Sequence, residues 1–132
     1  MASTKITHNR PLSPHVQIWR WHATMAASIA HRVSGGALYV GSALIAALII
    51  SLASGPEAYA AMMDLVLSIP GRIVLLGFTG ALAYHFLNGL RHLIWDGPGV
   101  GFSPKVASMI SVLNFLLAIA VTLGIWALAY YG

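Results

Sequence analysis

The chain reads as three long apolar runs separated by short polar breaks. Residues 33–56, 73–90 and 106–132 contain no Asp, Glu, Lys or Arg. A helix needs roughly 20 apolar residues to cross about 30 Å of hydrocarbon, and the first and third runs meet that outright. The second is shorter, but Arg72 and Arg91 can snorkel from its ends while Leu93, Ile94 and Trp95 extend it. The pattern predicts an all-α integral membrane protein with three transmembrane helices, at about 27–53, 71–95 and 104–130.

The breaks support these boundaries. Ser54-Gly55-Pro56 stops the first helix, because glycine suits a C-terminal cap and proline cannot continue the hydrogen-bond ladder. Residues 57–68, with Glu57 and Asp64, read as a short interfacial segment ahead of a Pro70-Gly71 break. Asp96-Gly97-Pro98-Gly99 is a tight turn, and Ser103-Pro104 has the form of an N-cap followed by proline at the first helical position.

Composition closes off several chemistries. The 132 residues are 58% hydrophobic and only 8% charged, with seven Lys/Arg against three Asp/Glu, too few to cover a water-soluble surface. High hydrophobicity excludes disorder. The chain has no cysteine, which removes disulfides, thiolate zinc sites, iron–sulfur ligation and a Cys nucleophile. The net charge of +4 gathers beside the apolar runs rather than in a patch, so it flanks a membrane and does not predict nucleic-acid binding. Lys5, Arg10, Arg20, Arg32, Arg91 and Lys105 lie toward one side, and Arg72 alone lies toward the other. The positive-inside rule then predicts a cytoplasmic N-terminus and second connection and a periplasmic C-terminus. Residues 1–26 show no apolar core before a cleavage site, so no cleaved signal peptide is expected. Trp19 and Trp21 suit an interfacial stretch leading into the first helix.

Ionisable groups at membrane depth are costly and mark candidate sites. Ser28, His31 and Arg32 share one face of the first helix at i, i+3 and i+4. His85 and His92, two turns apart, share a face of the second, in the run Tyr84-His85-Phe86-Leu87-Asn88-Gly89-Leu90-Arg91-His92. Measured from Asp96, His85 lies about 16 Å inward, near mid-bilayer, and His92 about 6 Å inward. Gly77, Ala81, His85 and Gly89 leave a groove wide enough for a flat ligand such as a porphyrin, and Ser28, Gly35 and Ser42 form a seam on the first helix. Such small-residue seams also serve ordinary helix packing. His85 reads either as a neutral imidazole hydrogen-bonded to a neighbouring helix or as a haem ligand. Zinc fits less well, because no carboxylate or cysteine lies at that depth. Arg91 alone reads as membrane-edge snorkelling, and Asp96, at a helix C-terminus, calls for a cationic partner such as Arg91 or a group from another subunit.

The motifs Arg10-Pro11-Leu12-Ser13-Pro14, Ser28-x-x-His31-Arg32-x-Ser34-Gly35 and His85-x-x-x-Gly89-Leu90-Arg91-His92-Leu93-x-Trp95-Asp96 resemble those of the cytochrome b membrane-anchor subunit of succinate dehydrogenase, respiratory complex II. The resemblance covers nearly the whole chain. Pro98 stands where the family often has a small residue, which touches only the turn geometry. The resemblance implies a single membrane-anchor domain over residues 1–132, with 1–26 as a cytoplasmic or interfacial segment and 27–132 as the three-helix unit. It implies pairing with a second, smaller three-helix anchor subunit, with one haem b shared between the two. His85 would be one axial ligand to the haem iron, and the partner would supply the other. His31, Arg32 and His92 would lie in the propionate region, and Ser28 and Arg32 in a ubiquinone site completed by a partner tyrosine and a tryptophan of the iron–sulfur subunit. FAD and iron–sulfur clusters would belong to the flavoprotein and iron–sulfur subunits only, so this chain alone would not oxidise succinate. Phospholipid would surround the spans.

A bacterial inner membrane is expected over a mitochondrial one, since no transit segment precedes the first motif. The competing expectation is a non-redox scaffold or transporter component with structural histidines, although three helices without a visible repeat make a poor transporter.

Overall fold

The computed structural model describes residues 20–132 and contains four helices there: α1 (Ala23–Ser54), α2 (Pro56–Leu67), α3 (Ile69–Asp96) and α4 (Pro104–Tyr131). Lys5, the Arg10–Pro14 motif and Trp19 lie outside the described residues. Three helices, α1, α3 and α4, are long and apolar enough to cross a membrane. The expected spans therefore stand, each longer by a few residues than expected except at the start of α4. α1 begins at Ala23, directly after the extended backbone of His22.

The chain turns where glycine and proline dictate. Gly55 has φ 113°, a region a side chain rarely tolerates, and Pro56 opens α2 in its first turn. The interfacial segment is thus a regular helix of 12 residues, packed on α1 and α3. The next break falls at Ser68 rather than at Pro70-Gly71. The Ser68 hydroxyl accepts from the Gly71 N–H at 3.2 Å, and Pro70 sits inside the first turn of α3, where its missing donor costs nothing. Ser103 occupies the cap position before Pro104, but its side chain makes no capping hydrogen bond.

α3 is the central element, packing against both α1 and α4, which also meet each other. Buried positions are small or polar: Ala27, Ser34, Gly41 and Ser51 on α1, and Ala107, Ser111, Ala118 and Thr122 on α4. Small residues let backbones approach closely where lipid provides no hydrophobic drive between helices. Gly41 takes the Phe78 ring of α3 where a side chain would otherwise stand. The closest-packed seam of α1 runs one residue earlier than expected, through Ala27, Ser34 and Gly41. Ser28 and Gly35 are only half-buried, and Ser42 is exposed with its hydroxyl donated to the Tyr39 carbonyl. Large apolar side chains such as Val33, Ile73 and Leu128 point outward, as lipid-facing helices require.

Candidate functional site

α1 and α3 meet through imidazoles. The rings of His31 and His85 stack with centroids 4.1 Å apart and planes 20° apart. His92, two turns further along α3 than His85, lies 5.2 Å from His31. The ladder then continues through Trp95, edge-on to His92 at 5.4 Å, and Phe102, stacked on Trp95 at 5.4 Å. His31 lies against Gly89, where a Cβ would stand 4.0 Å from His31 Nε2, at ordinary contact distance. The groove expected beside His85 is therefore filled by His31 at its Gly89 end, while Gly77 at the other end faces open space.

The second nitrogen of His85 is fixed from behind. His85 Nδ1 lies 3.1 Å from the His31 carbonyl and 3.2 Å from Ser34 Oγ. A carbonyl oxygen only accepts, so the proton belongs on Nδ1. The Ser34 hydroxyl donates its own proton to the same carbonyl at 2.8 Å and offers a lone pair to the imidazole. The Nε2 lone pair is left free. No hydrogen bond to Nε2 forms among the described residues, and this atom is not sealed in the interior. Gly35 makes the arrangement possible, since a Cβ there would stand 2.9 Å from His85 Cε1. His31 Nε2, by contrast, is buried without a partner among the described residues. An orphaned donor or acceptor in the interior costs free energy unless another group completes it.

The other expected residues are distributed differently. Ser28 is half-buried and Arg32 exposed on α1, and neither forms a hydrogen bond or ion pair among the described residues. Arg91 departs from the snorkelling expectation: it is 5% exposed, turned into the α3–α4 seam. Its guanidinium donates to Asn88 Oδ1 at 3.4 Å and to the Ala107 carbonyl at 3.3 Å, and covers the Trp95 ring at 3.9 Å. Asp96 therefore does not hold Arg91. These contacts and the cation–π geometry, which strengthens away from water, offset part of the desolvation, while Arg91 Nε is buried without a partner among the described residues. Tyr84, Asn88 and Arg91 form the buried face of α3, with the Tyr84 hydroxyl donating to the Ala27 carbonyl at 2.9 Å.

Sequence reasoning assigned no role to Ser34 or Asn88. The signal for Ser34 was its i+3 offset from His31, which permits a bond back to the His31 carbonyl. For Asn88 it was the i, i+4, i+7 spacing of Tyr84, Asn88 and Arg91. Among the described residues no group of three or more His, Cys, Asp or Glu is arranged to hold a bare metal ion. The cluster offers one free imidazole nitrogen backed by a hydrogen-bonded carbonyl, which suits a metal already held by a macrocycle.

Residues 6–125 match the family described as the succinate dehydrogenase/fumarate reductase transmembrane subunit. The chain is 36% identical over 123 residues to the succinate dehydrogenase cytochrome b556 subunit of Paracoccus denitrificans, covering 93% of this chain and 92% of the relative. It is 37% identical over 122 residues to the mitochondrial succinate dehydrogenase cytochrome b560 subunit of Sus scrofa, covering 91% and 72%. It is 33% identical over 123 residues to the cytochrome b556 subunit of Rickettsia prowazekii, covering 92% and 94%.

Proposed function

The chain belongs to the succinate dehydrogenase/fumarate reductase transmembrane-subunit family, and from that premise we propose that it binds one haem b through His85 and forms part of a ubiquinone-reduction site through Ser28 and Arg32. As a member of this family the chain is a multi-pass membrane anchor working within an oxidoreductase complex. The observation that carries the haem reading is the clamp on His85: Nδ1 held by the His31 carbonyl and Ser34, Nε2 left with its lone pair. That tautomer is the one an axial ligand needs, and the carbonyl raises its basicity. The unpartnered His31 Nε2 adds a second point of fit, since a propionate oxygen would complete it.

A b-type haem, when bound, supplies a one-electron redox centre whose potential the protein tunes through ligands, hydrogen bonds and burial. The chain's own residues then divide the work. His85 would ligate, Ser34 and the His31 carbonyl orient its ring, and His31, Arg32 and His92 would hold the carboxylates. Ser28 and the exposed Arg32 guanidinium donate hydrogen bonds to a quinone carbonyl and stabilise charge as it develops there. A second ligand to the haem iron would come from a smaller three-helix anchor subunit, and an iron–sulfur subunit served by a succinate-oxidising flavoprotein subunit would supply the electrons. The site lies at the cytoplasmic side of a bacterial inner membrane, toward which the cations are biased.

The test uses the assembled complex. His85→Ala should abolish or strongly weaken the reduced-minus-oxidised b-type band while the subunits still co-purify. An unchanged bis-imidazole spectrum overturns the assignment. In the same preparation Ser28→Ala should slow quinone reduction and spare succinate oxidation by an artificial acceptor.

A further inference from the structure

At the end of the bundle opposite the imidazoles, α3 begins and α4 ends around a cleft of about 590 Å³. Arg72 and Tyr130 stand at its rim, and Leu75, Thr79, Ile125 and Trp126 line it below. The depth from Arg72 to Thr79 is two turns of α3, about 10 Å. The rim is polar and the walls are apolar, in the volume range of small-molecule sites. Arg72 is the lone Lys/Arg at this end among the described residues, with Arg20, Arg32, Arg91 and Lys105 toward the other.

The rim is organised. Arg72 donates one N–H to the Tyr130 hydroxyl at 3.0 Å, which turns the guanidinium toward α4. It pairs with neither Glu57 nor Asp64, the two carboxylates of α2 at the same end, and its remaining donors stay free among the described residues. Lower down, Trp126 donates its indole N–H to Thr79 Oγ1 at 3.4 Å, and Thr79 donates to the Leu75 carbonyl at 2.8 Å. These bonds fix the indole as a wall without closing the cleft.

We propose that this cleft binds a glycerophospholipid, with the phosphodiester on Arg72 and Tyr130 and one acyl chain in the groove between α3 and α4. Three features select that occupant. A guanidinium presents a donor fork that matches phosphate oxygens. Tyr130 and Tyr131 at the end of α4 mark the headgroup level, so the rim sits where lipid phosphates are. The groove descends from that level toward the hydrocarbon, the shape of a headgroup with a chain attached. Leu75, Ile125 and Leu67 of its lining are themselves exposed apolar side chains, so lipid can enter sideways. The proposal is independent of the haem and quinone reading, because no residue of one belongs to the other.

The experiment takes the assembled, delipidated complex, returns phosphatidylglycerol, and counts retained lipid by native mass spectrometry. Arg72→Gln should lower retention about fivefold, the effect of one arginine near an anionic surface. Y130F should lower it less, and R72K should keep most of it. Haem content and quinone reduction should stay unchanged in all three. Glycerophosphate, a headgroup without chains, should not displace the lipid. Retention in R72Q equal to wild type overturns the proposal. So does displacement by glycerophosphate, which would mark a simple anion site. Loss of the second anchor subunit in R72Q and Y130F, with lipid counts unchanged, would mark a subunit contact and overturn it equally.

Discussion

The two faces of α3 carry polar residues to opposite ends. Toward α1, His85 is pinned through Nδ1 while Nε2 stays available at the bundle surface. Toward α4, Asn88 is fully buried and Arg91 nearly so, and their bonds go to each other and to the Ala107 carbonyl. One face holds a nitrogen ready for something outside the chain. The other turns its polarity inward and joins two spans through Arg91, although Asn88 Nδ2 and Arg91 Nε stay buried without a partner among the described residues. Polar residues in a membrane helix thus need not mark a site, and the useful distinction is whether a lone pair or proton is left pointing out.

The sharpest way to break this contrast is Gly35→Val. Its side chain would collide with the His85 ring, already 2.9 Å from a Cβ at position 35. We expect near-complete loss of the haem band, with about 1–3 kcal/mol of stability lost to overpacking, read by absorbance and thermal unfolding of the complex. A full haem band in this variant would show that the α1 contact does not position the imidazole.

Arg91→Ala addresses the other face. Removing a buried long side chain from the α3–α4 seam should cost about 2–4 kcal/mol and lower the unfolding midpoint, while the haem spectrum stays as in wild type. A spectral change at unaltered stability would move Arg91 from the joint to the site. The mildest variant is Ser34→Ala. The His31 carbonyl still accepts from His85, so the haem should remain but leave about tenfold faster, the low end for loss of an outer-shell partner. Transfer of haem to an acceptor protein measures this. Equal release rates would mean that Ser34 serves packing alone.

The apolar runs made the three spans legible, and Gly55-Pro56 and Ser103-Pro104 marked true boundaries because backbone constraints act locally. The one-residue offset of the α1 seam was not legible. Ser28, Gly35 and Ser42 have the same spacing as Ala27, Ser34 and Gly41, and only the neighbouring helix decides which line is covered. The fate of Arg91 was hidden for a similar reason. Its distance from the membrane edge allowed snorkelling, but the Ala107 carbonyl of α4 offered a partner that distance along one helix cannot reveal. The motifs contain His31, Ser34 and His85, which the fold brings together. Their clamp arises from two helices meeting, through a backbone carbonyl that no sequence pattern displays.

α1 runs for 32 residues, about 48 Å at the rise of an α-helix. That exceeds the hydrocarbon thickness by more than ten residues' worth of rise, so this rod must lean or stand proud of the bilayer. A leaning rod trades angle for length. The chain can therefore meet thinner or thicker membranes by changing the inclination of one helix, while the glycine-lined contact with α3 travels with it.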